Sequence, residues 1–165
     1  MHTHLIPDSE ESNKRCRIRM GSPQSDYQAR DSVNMARIVF GEDFTDQNAV
    51  MTAIFNCNSP LVWDKSQLDA VRVYAEANQA LLMSPFVLFG ASTPVHSLAA
   101  TAQVIAEVIS GVAFTQIIRP GCRAVMGVAP MGVYMKSGSP TFGSPEVSLI
   151  MYIFGQMARY YGIPW

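Results

Sequence analysis

With 165 residues and 48% apolar content the chain can build one core, yet it falls short of the ~250 residues of a closed eight-stranded α/β barrel. A net charge of −1 and a charged fraction of 15% argue against nucleic acid or an anionic membrane as partners. Cys16, Cys57 and Cys122 are widely spaced with no CxxC pair and read as reduced thiols of a cytoplasmic protein, and no apolar run reaches the ~18 residues of a membrane span, since the nearest, Ser97 to Val112, carries Gln103 and Glu107.

Residues 1–24 are polar, with Lys14, Arg15, Arg17 and Arg19 close together. They read as a disordered leader ahead of a fold covering 25–165. From Asp26 a helical period places Ala29, Val33, Ala36 and Phe40 on one face, and Gly41 ends it as a C-cap. A polar loop at Gly41-Glu42-Asp43 leads to a buried-type strand, Val50 to Phe55. Ser66 then caps a helix whose inner stripe is Leu68, Val71 and Ala75, with Asp69 in its first turn.

Leu81-Leu82-Met83 leads through Ser84-Pro85 to a second strand, Phe86 to Phe89. Thr93 and Pro94 suit the N-cap and first position of the next helix. That helix turns Leu98, Thr101, Ala102, Ile105, Ile109 and Val112 inward and Gln103, Glu107 and Ser110 outward. A third strand, Phe114 to Ile118, and a fourth, Ala124 to Val128, follow. A Gly/Ser/Pro loop, Lys136 to Gly143, precedes a last helix capped by Ser144, with Pro145 at its first position and Leu149, Ile153, Met157 and Tyr161 on its core face.

This alternation implies parallel strands joined by helical crossovers. The predicted fold is α/β, a partial TIM (β/α)8 barrel with about half of the strand–helix units. The chain closes on a turn with no strand after it and so reads as part of a larger domain.

Polar and small residues gather where strands end: Asn56, Asn58 and Ser59; Gly90 and Ser92; Gln116 and Arg119; Gly127. Ligands of parallel α/β folds bind at that edge, and amides orient a polar ligand without committing a charge. Asn56 and Asn58 equally suit hydrogen bonds to their own loop. Arg119 suits an anion or a structural ion pair. Glu146 is stabilised by the helix dipole alone and is also the carboxylate with a candidate catalytic role. His96 suits a helix start. Tyr134, Phe142, Phe89 and Trp63 offer ring faces for a quaternary ammonium group, or simply core. A dinucleotide fingerprint, a P-loop, a nucleophile elbow and metal-ligand spacing are all absent from the sequence.

Specific words add to this reading. Asn56-Cys57-Asn58-Ser59-Pro60-Leu61-Val62-Trp63-Asp64, Tyr74-Ala75-Glu76-Ala77-Asn78-Gln79, Ile118-Arg119-Pro120-Gly121 and Ser137 to Glu146 resemble, in order and spacing, the trimethylamine methyltransferase family. The resemblance runs from about Met20 to Trp165. It implies a TIM-barrel, corrinoid-dependent methyltransferase that moves a methyl group from a methylated or quaternary amine to the cobalt of a cobalamin held by a partner corrinoid protein. Reduced Co(I) would be the nucleophile, and the enzyme would need none of its own. Trimethylamine members use a pyrrolysine, whose family position is expected just beyond Trp165, outside this sequence. The Asn-x-Asn-Ser-Pro-Leu form is closer to the non-pyrrolysine members and points to a betaine-like substrate. On this basis Asn56, Asn58, Ser59, Phe89, Gly90, Ser92, Gln116, Arg119 and Gly127 are expected at the substrate, with Glu146 catalytic, in a cytoplasmic homo-oligomer. The alternative is a non-catalytic barrel remnant that works only within an oligomer or a split barrel.

Overall fold

The computed structural model describes residues 19–165. Its centre is a four-stranded, all-parallel sheet formed by β1 (Arg19–Gly21), β2 (Met51–Phe55), β3 (Ala80–Met83) and β5 (Ala124–Met126), in that spatial order. β4 (Phe86–Leu88) continues from β3, and β6 (Ala129–Tyr134) continues from β5. These two pair in parallel, and β6 turns back on β7 (Ser139–Thr141) as an antiparallel hairpin. The bonds Gly127 N–H to Met83 O (2.8 Å) and Ala129 N–H to Pro85 O (2.9 Å) carry the pairing across both junctions.

The helices are α1 (Asp26–Phe40), the short α2 (Glu42–Gln47), α3 (Lys65–Glu76), α4 (Ser97–Ile118) and α5 (Pro145–Tyr161). In-register neighbours Phe55, Met83 and Met126 face one side of the sheet. They share a core with Ala29, Val33, Ala70, Val71, Val104, Val108, Phe154 and Ala158 from α1, α3, α4 and α5. The opposite row, Ile54, Leu82 and Val125, is only half-buried. Strands thus follow in chain order with helical cover on one face, the arrangement of a singly wound α/β segment.

Several predicted elements differ. Arg19–Gly21 is a strand inside the expected leader, paired to β2; the rest of that expectation, residues 1–18, lies outside the described residues. Ala80–Met83, read as a lead-in, is the sheet strand, and Phe86–Leu88 is its extension. The expected third strand, Phe114 to Ile118, is the last stretch of α4. Its Phe-Thr-x-Ile-Ile pattern has β propensity, but propensity yields to tertiary context. Within α4, Thr115 is fully buried and its hydroxyl bonds back to Val112 O at 2.7 Å.

Helix starts also move. α3 has Asp64, not Ser66, at its N-cap, and Asp69 pairs with Lys65 and Arg72. α4 starts at Ser97 behind His96 rather than at Thr93-Pro94. α5 begins as expected: Ser144 Oγ accepts from Val147 N–H and Pro145 stands in the first turn. Its buried face is Ile150, Phe154, Gly155 and Ala158, with Leu149 and Tyr161 exposed. One residue of phase is ~100° of rotation, and a helix apolar on most sides leaves that phase undecided.

Helix α4 is long and apolar enough, by length and composition, to cross a membrane. Here it is a core helix: Ala100, Val104, Val108, Gly111, Val112 and Thr115 are buried, and so is Glu107.

Candidate functional site

The loop from β2 to α3 carries the first predicted residues. Asn56 and Asn58 are exposed and flank the buried Cys57. Backbone bonds between Asn58 and Val62 (Asn58 N–H to Val62 O, 2.7 Å) close a small turn, with Leu61 in the left-handed region at φ 58°. Among the described residues neither asparagine side chain makes a hydrogen bond. Their amides are therefore not spent on the loop backbone.

What holds the loop is Glu107, a residue expected on the outer face of its helix. It is 1% exposed. Oε2 accepts from Ser59 Oγ (2.7 Å) and Cys57 Sγ (3.0 Å), and Oε1 accepts from Leu61 N–H and Gln103 Nε2, each at 2.9 Å. Burial acts to raise its pKa, but the donors from Cys57, Ser59, Leu61 and Gln103 outweigh that and hold the carboxyl below its ordinary value. Burial, then the adjoining Glu107 carboxylate, push the Cys57 thiol up to about 12. Cys57 is thus a protonated donor with no thiolate character.

Gln103 Nε2 also donates to Ser92 O at 3.1 Å. This couples the β2–α3 loop to the loop after β4. In that second loop Gly90 turns at φ 82°. Ser92 Oγ accepts from Leu88 N–H (2.9 Å), and Phe89 N–H donates to Met131 O (2.9 Å). Gly127 ends β5 against Leu82 and Ser84, where a Cβ would come within 2.8 Å of Leu82 Cδ1. These residues all lie at the C-terminal ends of the strands.

Gln116 and Arg119 do not. Both were placed at a strand end that is in fact the end of α4. Gln116 accepts from Gly121 N–H and donates to Cys122 O, bracing the turn that enters β5, and Arg119 donates to Glu76 O at the end of α3. They stand at the N-terminal rim, across the sheet from Asn56. Glu146 is fully exposed in the first turn of α5, its carboxyl held low by its own backbone N–H and by Ser144; these are helix-start contacts. Trp63 donates to Ser110 Oγ at 3.0 Å and lies over Gly111. Tyr134 and Phe142 are exposed at the β6–β7 hairpin.

The word Tyr74 to Gln79 is also explained by structure. Gln79 is fully buried. Its Oε1 accepts from Val50 and Met51 N–H, and its Nε2 donates to Thr45, Asn48 and Ala77 carbonyls. It fastens the entry to β2 at the N-terminal end of the sheet. No pattern at the level of periodicity marks either Glu107 or Gln79; Glu107 stands out only as a charged residue inside an apolar run.

Comparison with known proteins agrees with the resemblance. The family model described as trimethylamine methyltransferase matches residues 4–165, further toward the N-terminus than Met20. A glycine betaine methyltransferase of Desulfitobacterium hafniense (strain Y51) is 36% identical over 165 residues, 99% of this chain and 34% of its own length. A proline betaine:corrinoid methyltransferase of Eubacterium limosum is 26% identical over 106 residues, covering 64% of this chain and 22% of that protein. The trimethylamine methyltransferase MttB of Methanosarcina thermophila is 33% identical over 75 residues, 46% of this chain and 16% of that protein. The chain spans about a third of the length of the first of these. With a match over nearly all of its residues, the chain belongs to the trimethylamine methyltransferase family.

Proposed function

We propose that the chain is part of a TIM-type barrel that holds a quaternary amine of the betaine class and presents one methyl group to a corrinoid carried by a partner protein, in the cytoplasm. Sequential parallel strands with helices on one face and a half-buried opposite face support the barrel. The observation that carries the substrate reading is the pair of exposed, unengaged amides, Asn56 and Asn58, at the strand ends on a loop anchored by Glu107. Amide N–H groups suit the carboxylate of a betaine, and their carbonyl oxygens suit the edge of its cationic head. The names of the two betaine-acting relatives support the same class.

A bound corrinoid supplies, through its reduced cobalt, the group that accepts the methyl. The residues present fit that division of labour. The rim offers neutral amides and hydroxyls, and its one thiol, Cys57, is buried and pushed up to about 12. The work left to the chain is to orient the amine and exclude competing contacts.

The test mixes the full chain with a corrinoid carrier in the Co(I) state and glycine betaine. Loss of the Co(I) absorption together with formation of dimethylglycine is expected. No amine-dependent change with glycine betaine, proline betaine or trimethylamine overturns the reading. A second reading, action only together with another barrel half or a second copy, is favoured by exposed apolar side chains beside β1 and on α5, including Met20, Ile38, Val39, Tyr152 and Tyr160. Light scattering decides it: a monomer that transfers methyl groups unaided excludes it.

A further inference from the structure

We propose that Glu107 is the positioning residue of the rim, fixing by hydrogen-bond geometry where Asn56 and Asn58 meet the ligand; the ligand side of this inference rests on the betaine reading. Three observations carry it. First, Glu107 accepts from Cys57 and Ser59, the residues alternating with the two asparagines, so the middle of the Asn-x-Asn segment and the residue that follows it are tied to one carboxylate. Second, its Oε1 takes the N–H of Leu61, whose φ of 58° is a strained backbone for a residue with a Cβ and persists only where the surroundings hold it. Third, through Gln103 the same carboxylate reaches the carbonyl of Ser92, so two loops at the strand ends are linked through one side chain. Among the described residues Glu107 has no cationic partner. A buried charge without a counter-ion is costly unless its hydrogen bonds are complete, and here they are spent on the loops.

Geometry rather than charge is the operative property. In Glu107→Gln the amide oxygen still accepts from Leu61 N–H and Gln103, while the new NH2 donates to Ser59 Oγ and Cys57 Sγ, both of which can turn to accept. In Glu107→Ala all of these partners are orphaned. Gln79→Ala is the matched control. It removes an equally buried polar anchor, but at the N-terminal end of the sheet, where Gln79 binds Val50 and Met51 N–H.

The test uses the full chain and two readouts, amide hydrogen exchange at Leu61 and Asn58, and the Kd for glycine betaine. Glu107→Ala is expected to speed exchange and weaken betaine by roughly tenfold or more each, while Glu107→Gln restores both to within about threefold and Gln79→Ala leaves both near wild type. Should Glu107→Ala fail to fold, Gln103→Leu, which cuts the link to Ser92, is expected to shift both readouts in the same direction. Equal loss of betaine in Glu107→Ala and Gln79→Ala overturns the proposal, because that is global loosening. Unchanged exchange at Leu61 in Glu107→Ala overturns it, and so does a Gln variant as defective as the Ala variant. If the wild type binds no betaine, the amine reading has failed on its own, and exchange at Leu61 and Asn58 still decides whether Glu107 holds the turn.

Discussion

At the scale of residues, burial and the hydrogen bonds around the Cys57–Glu107 contact set two titrations apart. The sign for each follows from which form the fold prefers. Glu107 is held low, so its contribution is complete above the ordinary carboxylate range and is lost as pH falls through its depressed value. Cys57 is raised from 9.0 to about 12, so its contribution is complete below pH 9.0 and fades as pH rises toward 12. Between these limits the clamp does not change protonation. Cys57→Ser retains a donor to Glu107 but cannot ionise in this range. Thermal midpoints from pH 8 to 11 should therefore fall more steeply for wild type than for Cys57→Ser, and parallel curves would contradict the burial of the thiol beside the carboxylate. The sequence placed Asn56 and Asn58 at the end of a strand, the edge that ligands of parallel α/β folds use. It did not show that they are unengaged, since that depends on Glu107, about fifty positions away, doing the loop-holding work usually done by Asn itself.

At the scale of elements, α4 is the instructive case. A glycine inside a helix ordinarily costs up to ~1 kcal/mol relative to alanine, which alone makes Gly111→Ala stabilising. Here a Cβ would come within 2.6 Å of Trp63 Cζ2 and 3.1 Å of Met83 Sδ. The indole cannot simply swing away without losing its bond to Ser110. Overpacking costs ~1–3 kcal/mol and outweighs the propensity gain. Gly111→Ala is expected to lower stability by about 1 kcal/mol in urea unfolding, with a shift in tryptophan emission; a stabilised variant would contradict the packing. The same helix misleads a reading by pattern, because apolar residues on nearly every side give no preferred face. Its end, Phe114 to Ile118, has the β-rich composition of a strand, yet it is helical. By contrast α1 was legible, since Ala29, Val33 and Ala36 recur at helical spacing and are buried, and Gly41 closes the helix with φ 88°.

At the scale of the whole molecule, the sheet sorts the predicted site residues into two ends. If the ligand meets the C-terminal ends of the strands, Asn58→Ala is expected to weaken glycine betaine by roughly tenfold, about 1.4 kcal/mol. Arg119→Ala and Gln116→Ala, at the opposite end, should leave the Kd within about twofold. The reverse pattern in a binding titration would place the ligand at the other rim. Sequence alone determined the α/β class, the end of α1 at Gly41, the start of α5 at Ser144-Pro145, the loop that carries Asn56 and Asn58, and the family. Each of these is written in local periodicity, capping chemistry or contiguous words. Tertiary structure alone decided which apolar stretches became strands, which face of α4 and α5 turned inward, and that Gln116 and Arg119 stand apart from the asparagines. The physical reason is that hydrophobic burial is nearly indifferent to direction along an element apolar on all sides. Only the neighbours that pack against it, and the few buried polar groups such as Glu107 that must find partners, select one arrangement.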